Sequence, residues 1–169
     1  MSKEKLLKWM IAPFSAGLLG IAAGVTAPDF SAKNQEGKTI KLSDYKGKFV
    51  LMYFYPKDDT PGCTKEACDF RDNYVKIKEL NTVVLGISRQ DAASHQKFIA
   101  KHKLPFDLLV DHDGSIAKLY GVGTMPIVGF HHRQSILIGP DGKVLRFYES
   151  VDPAKHVEEV LADIKAAKK

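Results

Sequence analysis

Two uncharged apolar runs, at residues 49–55 (FVLMYFY) and 82–88 (TVVLGIS), constrain the fold of this chain more than any other feature. Each is short and rich in aromatic or β-branched residues, which predicts strands buried on both faces of a sheet. Between them, residues 61–80 carry apolar side chains at the three- and four-residue spacing typical of a helix with one buried face: Ala67, Phe70, Tyr74 and Ile77. A strand, a helix and a second strand predict a parallel β-α-β unit.

The rest of the chain extends this unit into a larger sheet. Strands are predicted over residues 38–42, 106–110, 135–138 and 143–148, and helices over residues 92–102, 115–120 and 153–166. The sequence GPDG at residues 139–142 predicts a hairpin, which adds antiparallel strands at one edge. A β-α-β half joined to a β-β-α half predicts an α/β protein with a thioredoxin-like fold, in which helices flank a central mixed β-sheet.

The N-terminal segment differs in composition from everything that follows it. Residues 1–8 are basic and residues 9–25 are uncharged, a pattern typical of a secretory signal peptide cleaved near Gly24, or of an uncleaved membrane anchor. A buried N-terminal helix is the remaining alternative. We therefore assign residues 1–25 to a leader and residues 26–169 to one domain. We expect an exported protein, periplasmic or anchored in the membrane facing the periplasm, rather than a cytoplasmic one.

Charge and cysteine content exclude several other classes of protein. The net charge of +5 comes from 25 basic and 20 acidic residues, interspersed without a basic face that alternates with aromatic residues, so we expect no nucleic-acid partner. Two cysteines are too few for a disulfide scaffold. A zinc site would need two further ligands at suitable spacing, and the six histidines are scattered, so we expect no bound metal.

The sequence TPGC at residues 60–63 is typical of a helix start that activates a cysteine. Thr60 is a favourable N-cap, Pro61 suits the first helical position, and Gly62 permits close approach to the backbone. Cys63 then occupies the third helical position, where unpaired N–H groups and the helix dipole favour the nucleophilic thiolate. We expect the Thr60 hydroxyl to hydrogen-bond the thiolate or an incoming oxygen, and Pro56 to shield the pocket from water.

Cys68, the other cysteine, lies five residues further along the same predicted helix. Five helical residues correspond to about 140° of rotation and about 8.5 Å between Cα atoms, whereas a disulfide tolerates about 7 Å. The two sulfurs therefore cannot bond while the helix is intact. This spacing favours a device in which Cys63 reacts in the folded site and Cys68 attacks it after local unfolding. An ordinary structural disulfide is the alternative.

The segment around Cys63 resembles the active site of the peroxiredoxins. Residues 56–63 (PKDDTPGC) fit the pattern Pro-x-x-x-Thr-x-x-Cys, and residues 63–68 (CTKEAC) are similar to the peroxiredoxin Q subfamily. In that subfamily, also called the bacterioferritin comigratory proteins, the resolving cysteine lies five residues after the peroxidatic one. The resemblance continues from APDF at residue 27 to the hairpin HRQSILIGPDGKV, and covers most of residues 27–165.

This resemblance implies that Cys63 is the peroxidatic cysteine and Cys68 the resolving cysteine of an atypical two-cysteine peroxiredoxin. Thr60 and Pro56 are then expected to line the pocket. Arg133 stands where the family places an arginine beside the thiolate, and a permanently charged guanidinium with several donors suits that position. A solvated loop arginine is the alternative interpretation.

The implied activity is that of a thiol-dependent peroxidase acting on hydrogen peroxide and organic hydroperoxides, without a metal, haem or flavin cofactor. A Cys63 sulfenic acid condenses with Cys68, and thioredoxin or a similar dithiol reduces the resulting disulfide. The main alternative is a thioredoxin-like thiol-disulfide oxidoreductase acting on exported proteins, and a further one is a non-catalytic binding module. We expect a monomer, since a third cysteine that could serve an intersubunit route is missing. Glu66 is expected to bond within its own helical turn or to pair with Arg133 or a lysine.

Overall fold

The structure, a computed structural model, describes residues 20–169. Within this part of the chain the strands are β1 (Ser31–Asn34), β2 (Thr39–Lys41), β3 (Phe49–Phe54), β4 (Thr82–Ser88), β5 (Asp107–Val110), β6 (Gln134–Ile138) and β7 (Val144–Tyr148). The helices are α1 (Pro61–Asp72), α2 (Tyr74–Glu79), α3 (Ala92–His102), α4 (Ser115–Leu119) and α5 (His156–Ala167), with a 3-10 turn at Leu42–Tyr45.

The described strands form one mixed sheet in the order β2-β1-β5-β4-β3-β6-β7. β3, β4 and β5 run parallel to one another, and α1, α2 and α3 lie in the connections between them. β6 is antiparallel to β3, and β7 completes a hairpin at that edge. The predicted α/β architecture, with a parallel centre and an antiparallel edge hairpin, is confirmed.

β3 is the central element of the fold because both of its faces are covered. All six of its residues are buried. Leu51 and Tyr53 face a core shared with α1, α3 and α5, while Val50, Met52 and Phe54 face a second core on the opposite side of the sheet. A strand held on both faces gives its C-terminal end a defined position, and the turn that leads to α1 follows this end.

The single helix predicted over residues 61–80 is two helices. Asn73 interrupts it, with φ −103° and ψ 9°, and its side-chain amide donates to the carbonyl oxygen of Asp69 at 2.9 Å. Asparagine side chains compete in this way for backbone hydrogen bonds and so disfavour the helix interior. The apolar spacing continues through the break because α1 and α2 both pack against the same core.

Two further elements differ from the prediction. β1 was not predicted, since Ala32 is its only apolar residue and it alternates exposed and buried positions along only four residues. α5 starts at His156 rather than at residue 153. Asp152 forms a turn instead, accepting hydrogen bonds from the backbone N–H groups of Ala154, Lys155 and His156. An aspartate that bonds its own following backbone commonly forms such a turn.

The predicted leader lies mostly outside the described residues. Its last part packs on the domain: the Ile21 N–H donates to the Tyr120 carbonyl oxygen at 3.1 Å, and the Gly24 N–H donates to that of Val144 at 2.8 Å. Cleavage after Gly24 would remove both contacts. Among residues 20–169, no helix has the length and apolar character that crossing a bilayer requires.

His156 is buried at the start of α5, where it packs between two aromatic rings. Its ring meets Phe70 and Tyr148 edge to face, and its Nε2 atom lies 2.8 Å from the Ser135 hydroxyl oxygen. Burial, followed by the positive charges of nearby arginines, lowers the pKa of His156 to about 4. The imidazole is therefore neutral in the folded protein near neutral pH.

The His156 side chain predicts a loss of stability on mild acidification. The unfolded histidine binds its proton near its ordinary pKa of 6.5, well above the folded value of about 4, so the unfolded state takes up more protons between these values. Between pH 7 and pH 5 we expect this group to reduce the free energy of unfolding by about 2 kcal/mol. Urea unfolding of wild type and His156→Gln at both pH values measures this change in the free energy of unfolding. His112→Gln, which alters an exposed histidine, should keep the wild-type pH dependence, and an equal dependence in His156→Gln would contradict the prediction.

Candidate active site

Cys63 lies just after the turn that joins β3 to α1. Thr60 precedes the helix with extended backbone, φ −86° and ψ 156°, and Pro61 is its first residue. Cys63 is the third helical residue, and its side chain is buried, with 1% of the residue exposed. The first N–H groups of a helix have no partner within the helix and carry partial positive charge. The sulfur therefore lies where an anion is stabilised.

Arg133 contacts Cys63 from the other side of the site. Its Nη2 atom donates to the Cys63 sulfur at 3.3 Å, and its Nη1 atom donates to Glu66 Oε2 at 2.6 Å. Burial works against the charge of this guanidinium, but the negative charges of Glu66 and Cys63 outweigh burial and raise the pKa of Arg133. A permanently charged donor is thus held against the thiol, 70 residues away in sequence.

Glu66 is the partner that orients Arg133. It follows Cys63 by three residues on α1, so the two side chains leave the same face of the helix. Glu66 is fully buried, and burial raises its pKa to about 7 although the Arg133 charge acts in the opposite direction. Of the partners considered for Glu66 from the sequence, the structure selects Arg133.

Gly62 leaves the space that the Arg133 guanidinium occupies. A Cβ atom at this position would lie 2.9 Å from Arg133 Nη2 and 3.9 Å from Pro153 Cγ. Only the first of these distances is too short for a real contact, so any larger residue displaces the arginine head group. The sequence predicted that another group would come close to the backbone at Gly62. That group is the Arg133 side chain, which also contacts Cys63.

Tyr53 belongs to the same cluster, although the sequence indicated only a core residue. Its hydroxyl is buried, and burial followed by the negative charges of Glu66 and Cys63 raises the pKa of Tyr53, so it keeps its proton. A Cβ at Gly86 on β4 would lie 2.8 Å from this hydroxyl, so the glycine makes room for it. The available signal was the period-two alternation of β3, which places Tyr53 on the α1 side of the sheet.

Thr60 and Pro56 lie in the turn, but Thr60 makes a different contact from the one predicted. Its hydroxyl donates to the Lys57 carbonyl oxygen at 2.9 Å, and among the described residues it caps no N–H group and does not bond Cys63. This hydrogen bond stabilises the turn, and the lone pairs of the Thr60 hydroxyl oxygen can still accept a hydrogen bond. Pro56 is half-buried, and its carbonyl oxygen accepts from Gln90 Nε2 at 3.3 Å.

Cys68 lies on the same continuous helix as Cys63, and both thiols are free. Cys68 is half-buried, while Ala67 and Phe70, next to it on α1, are completely buried. The regular helix between the two cysteines keeps their Cα atoms about 8.5 Å apart. A bond between them therefore requires the first turns of α1 to unwind, and the roles assigned to both thiols remain predictions at this point.

Comparison with known proteins gives a consistent result. The model of the AhpC/TSA family matches residues 23–147. Peroxiredoxin Bcp of Bacillus subtilis is 42% identical over 151 residues, covering 86% of this chain and 96% of that protein. The chloroplastic peroxiredoxin Q of Triticum aestivum is 45% identical over 147 residues, covering 83% of this chain but only 65% of the longer plant protein.

The fold also matches a solved structure. The bacterioferritin comigratory protein of Xanthomonas campestris, studied for its alkyl peroxide reduction activity, superposes with a TM-score of 0.79 at 30% identity, covering 88% of this chain and all of that one. The match confirms the thioredoxin-like fold predicted from the order of strands and helices. Together with the family match over most of the domain, it shows that the chain belongs to the AhpC/TSA family and is a peroxiredoxin of the Q/Bcp type, a thiol-dependent peroxidase.

Proposed function

We propose that this peroxiredoxin works through an atypical two-cysteine cycle that begins at Cys63. The thiolate attacks one oxygen of a hydroperoxide, the O–O bond breaks, and the sulfur keeps a hydroxyl group as sulfenic acid. The other oxygen leaves as water or an alcohol after taking up a proton. The observation that carries this proposal is the Arg133 guanidinium, which contacts the Cys63 sulfur and is oriented by Glu66. Its charge and the free N–H groups of α1 stabilise the negative charge that develops on the oxygens.

In the second half of the cycle, Cys68 acts as the resolving cysteine. Its thiol attacks the Cys63 sulfenic acid, a disulfide forms, and the hydroxyl leaves as water. Because α1 separates the two cysteines, its first turns must unwind before this step. An external dithiol, thioredoxin or a related protein, then reduces the disulfide and is itself oxidised.

The buried position of Cys63 supports a small hydroperoxide as the substrate. Only 1% of the residue is exposed, so a substrate that approaches the sulfur must be small or slender, as hydrogen peroxide and slender organic hydroperoxides are. The disulfide of another folded protein would need far more open access. The alternative of a thiol-disulfide oxidoreductase acting on exported proteins is therefore not favoured. We propose that the enzyme acts as a monomer on hydrogen peroxide and organic hydroperoxides.

The cycle predicts different phenotypes for the two cysteines. Cys63→Ser should reduce peroxide consumption, assayed with dithiothreitol as reductant, to the uncatalysed background, because it removes the nucleophile. Cys68→Ser should still react once, and without reductant it should accumulate a species one oxygen atom heavier on the peptide that contains Cys63, detected by mass spectrometry. Full activity of Cys63→Ser would rule out the proposed cycle.

The contact between Arg133 and Cys63 predicts a graded loss of reactivity. Arg133→Ala should slow the oxidation of Cys63 by hydrogen peroxide by about 100- to 1000-fold, the usual effect of removing a donor to a developing oxyanion. The oxidation rate of Arg133→Lys should fall between those of wild type and Arg133→Ala, since a lysine keeps the charge but not the planar pair of donors. Gly62→Ala should also slow the reaction, because its Cβ displaces the guanidinium.

Single-turnover rates of the reduced enzymes measure this series. Arg146→Ala, which removes an exposed arginine paired with Asp163 on α5, is the matched control and should react at the wild-type rate. An Arg133→Ala enzyme as fast as this control would exclude the proposed role of the guanidinium.

We further propose that residues 1–25 direct the protein to the periplasm, either as a cleaved signal peptide or as an anchor. The basic residues 1–8 followed by the uncharged residues 9–25 support this location. We expect the natively expressed protein to be found either in the periplasm with a new N-terminus near residue 25, or intact in the membrane fraction. N-terminal sequencing of fractionated cells measures this, and an intact chain in the cytoplasmic fraction would contradict it.

A further inference from the structure

The turn between β3 and α1, residues 56–60, carries a buried carboxylate that takes no part in the chemistry described above. Asp58 lies in the middle of this turn, which we call the active-site turn, and only 8% of the residue is exposed. It faces His95 on α3, which is fully buried. We propose that Asp58 and His95 form an internal ion pair that clamps the active-site turn to α3, and that both act as positioning residues for Cys63. This proposal rests on the catalytic cycle proposed above.

Three side chains donate hydrogen bonds to the Asp58 carboxylate. The His95 Nδ1 atom lies 2.7 Å from Oδ2, and the Ser94 hydroxyl donates to the same oxygen at 2.7 Å. The Tyr55 hydroxyl, from the residue after β3, donates to Oδ1 at 2.6 Å. Both carboxylate oxygens therefore have partners, as a buried charge requires.

Each ring nitrogen of His95 faces an oxygen atom. Its Nδ1 atom faces the Asp58 carboxylate, and its Nε2 atom lies 3.0 Å from the Leu109 carbonyl oxygen. With Asp58 ionised, as the proposal has it, both neighbours are acceptors, and a ring that donates from both nitrogens is the imidazolium form. A neutral ring would leave one nitrogen lone pair facing an oxygen in a buried site. In the proposed ion pair, the positive ring and the negative carboxylate compensate each other.

A second set of contacts holds the backbone of the same turn. The Asp58 N–H donates to Gln90 Oε1 at 3.1 Å, and Gln90 Nε2 donates to the Pro56 carbonyl oxygen at 3.3 Å. The Ser88 hydroxyl donates to Gln90 Oε1 at 2.7 Å and so orients the amide. The buried part of the active-site turn is thus fixed through the Asp58 side chain and two backbone groups, which are bonded to α3 or to the loop between β4 and α3.

This clamp lies directly before the segment that must unwind during the proposed cycle. α1 begins one residue after the turn, while Ala67 and Phe70, further along α1, are held in the core. Unwinding is then confined to the turns between Thr60 and Ala67, which include Cys63. The clamp keeps the start of α1 in place for the reaction with peroxide, and it gives the unwound segment a fixed point from which to refold.

The clamp predicts that the two half-reactions respond differently when it is broken. His95→Gln keeps one donor and loses the charge, and Asp58→Asn removes the negative partner. In either variant, the single-turnover oxidation of Cys63 by hydrogen peroxide should slow by on the order of 10-fold or more, because the thiol is no longer held in register with Arg133. The following formation of the Cys63–Cys68 disulfide should proceed as fast as in wild type or faster. A variant that is merely unfolded would instead lose the Arg133 contact altogether and show a reduced free energy of unfolding, so urea unfolding of each variant is measured beside the two rates.

Asp59→Asn is the matched control, because it alters the same turn. Asp59 also bonds α3, through Lys101 and His102, but these ion pairs lie at the surface, where such pairs contribute little to stability. Asparagine tolerates the positive φ of 59° at this position. Its two rates should equal those of wild type. Tyr55→Phe removes one of the three hydrogen bonds to Asp58, so its rate of Cys63 oxidation should lie between those of the control and His95→Gln. Equal oxidation rates in all four variants would overturn the clamp while leaving the cycle intact, whereas an active Cys63→Ser would overturn the cycle itself.

Nuclear magnetic resonance of the wild-type enzyme tests the ion pair without any substitution. At neutral pH, both ring nitrogens of His95 should show the ¹⁵N shifts of protonated imidazolium. A neutral tautomer of His95 would refute the pair even if the variants fail to fold.

Discussion

The active site depends on one arginine that reaches two acidic groups of the same helix. Cys63 and Glu66 are one turn apart on α1, and the planar guanidinium of Arg133 contacts both, at 3.3 Å and 2.6 Å. Arg133 immediately precedes β6, which pairs with β3 at the centre of the sheet. The contact therefore joins the first turns of α1 to the buried centre of the sheet. In the proposed cycle, unwinding those turns separates Cys63 from Arg133.

This arrangement places two opposing demands on α1. In the proposed cycle, the reaction with peroxide needs an ordered helix start, whereas the bond between Cys63 and Cys68 needs that start to unwind. The ion pair of Glu66 and Arg133 is compatible with both demands, because a buried ion pair loses in desolvation much of what it gains in attraction. Burial raises the pKa of Glu66 to about 7, the direction expected from this cost. The apolar contacts of Ala67 and Phe70 carry no such desolvation cost, and they keep the later turns of α1 packed on the core.

The sequence predicted those features that depend on local pattern. β3 and β4 follow from uncharged apolar runs, and the cysteine at the third position of α1 follows from the helix-start residues around it. The division of the predicted long helix at Asn73 was missed, because the apolar spacing continues through the break and only the asparagine side chain ends α1. β1 was missed because it has a single apolar residue and so no strand pattern of its own. It is a strand because it pairs with β2 and β5.

The sequence by itself predicted the class of fold from the order of strands and helices, and it singled out Cys63 as the candidate nucleophile. It also predicted that a bond to Cys68 requires unwinding, from the spacing along one helix. Tertiary structure alone decided which groups surround Cys63. It brought Arg133 within reach across 70 residues, assigned Glu66 as its partner, and turned the Thr60 hydroxyl towards Lys57. It also paired Asp58 with His95, two residues that carry no local signal for each other. The reason is physical: a hydrogen bond or an ion pair depends on a few ångströms of separation, and sheet order and packing set that distance between segments remote in sequence.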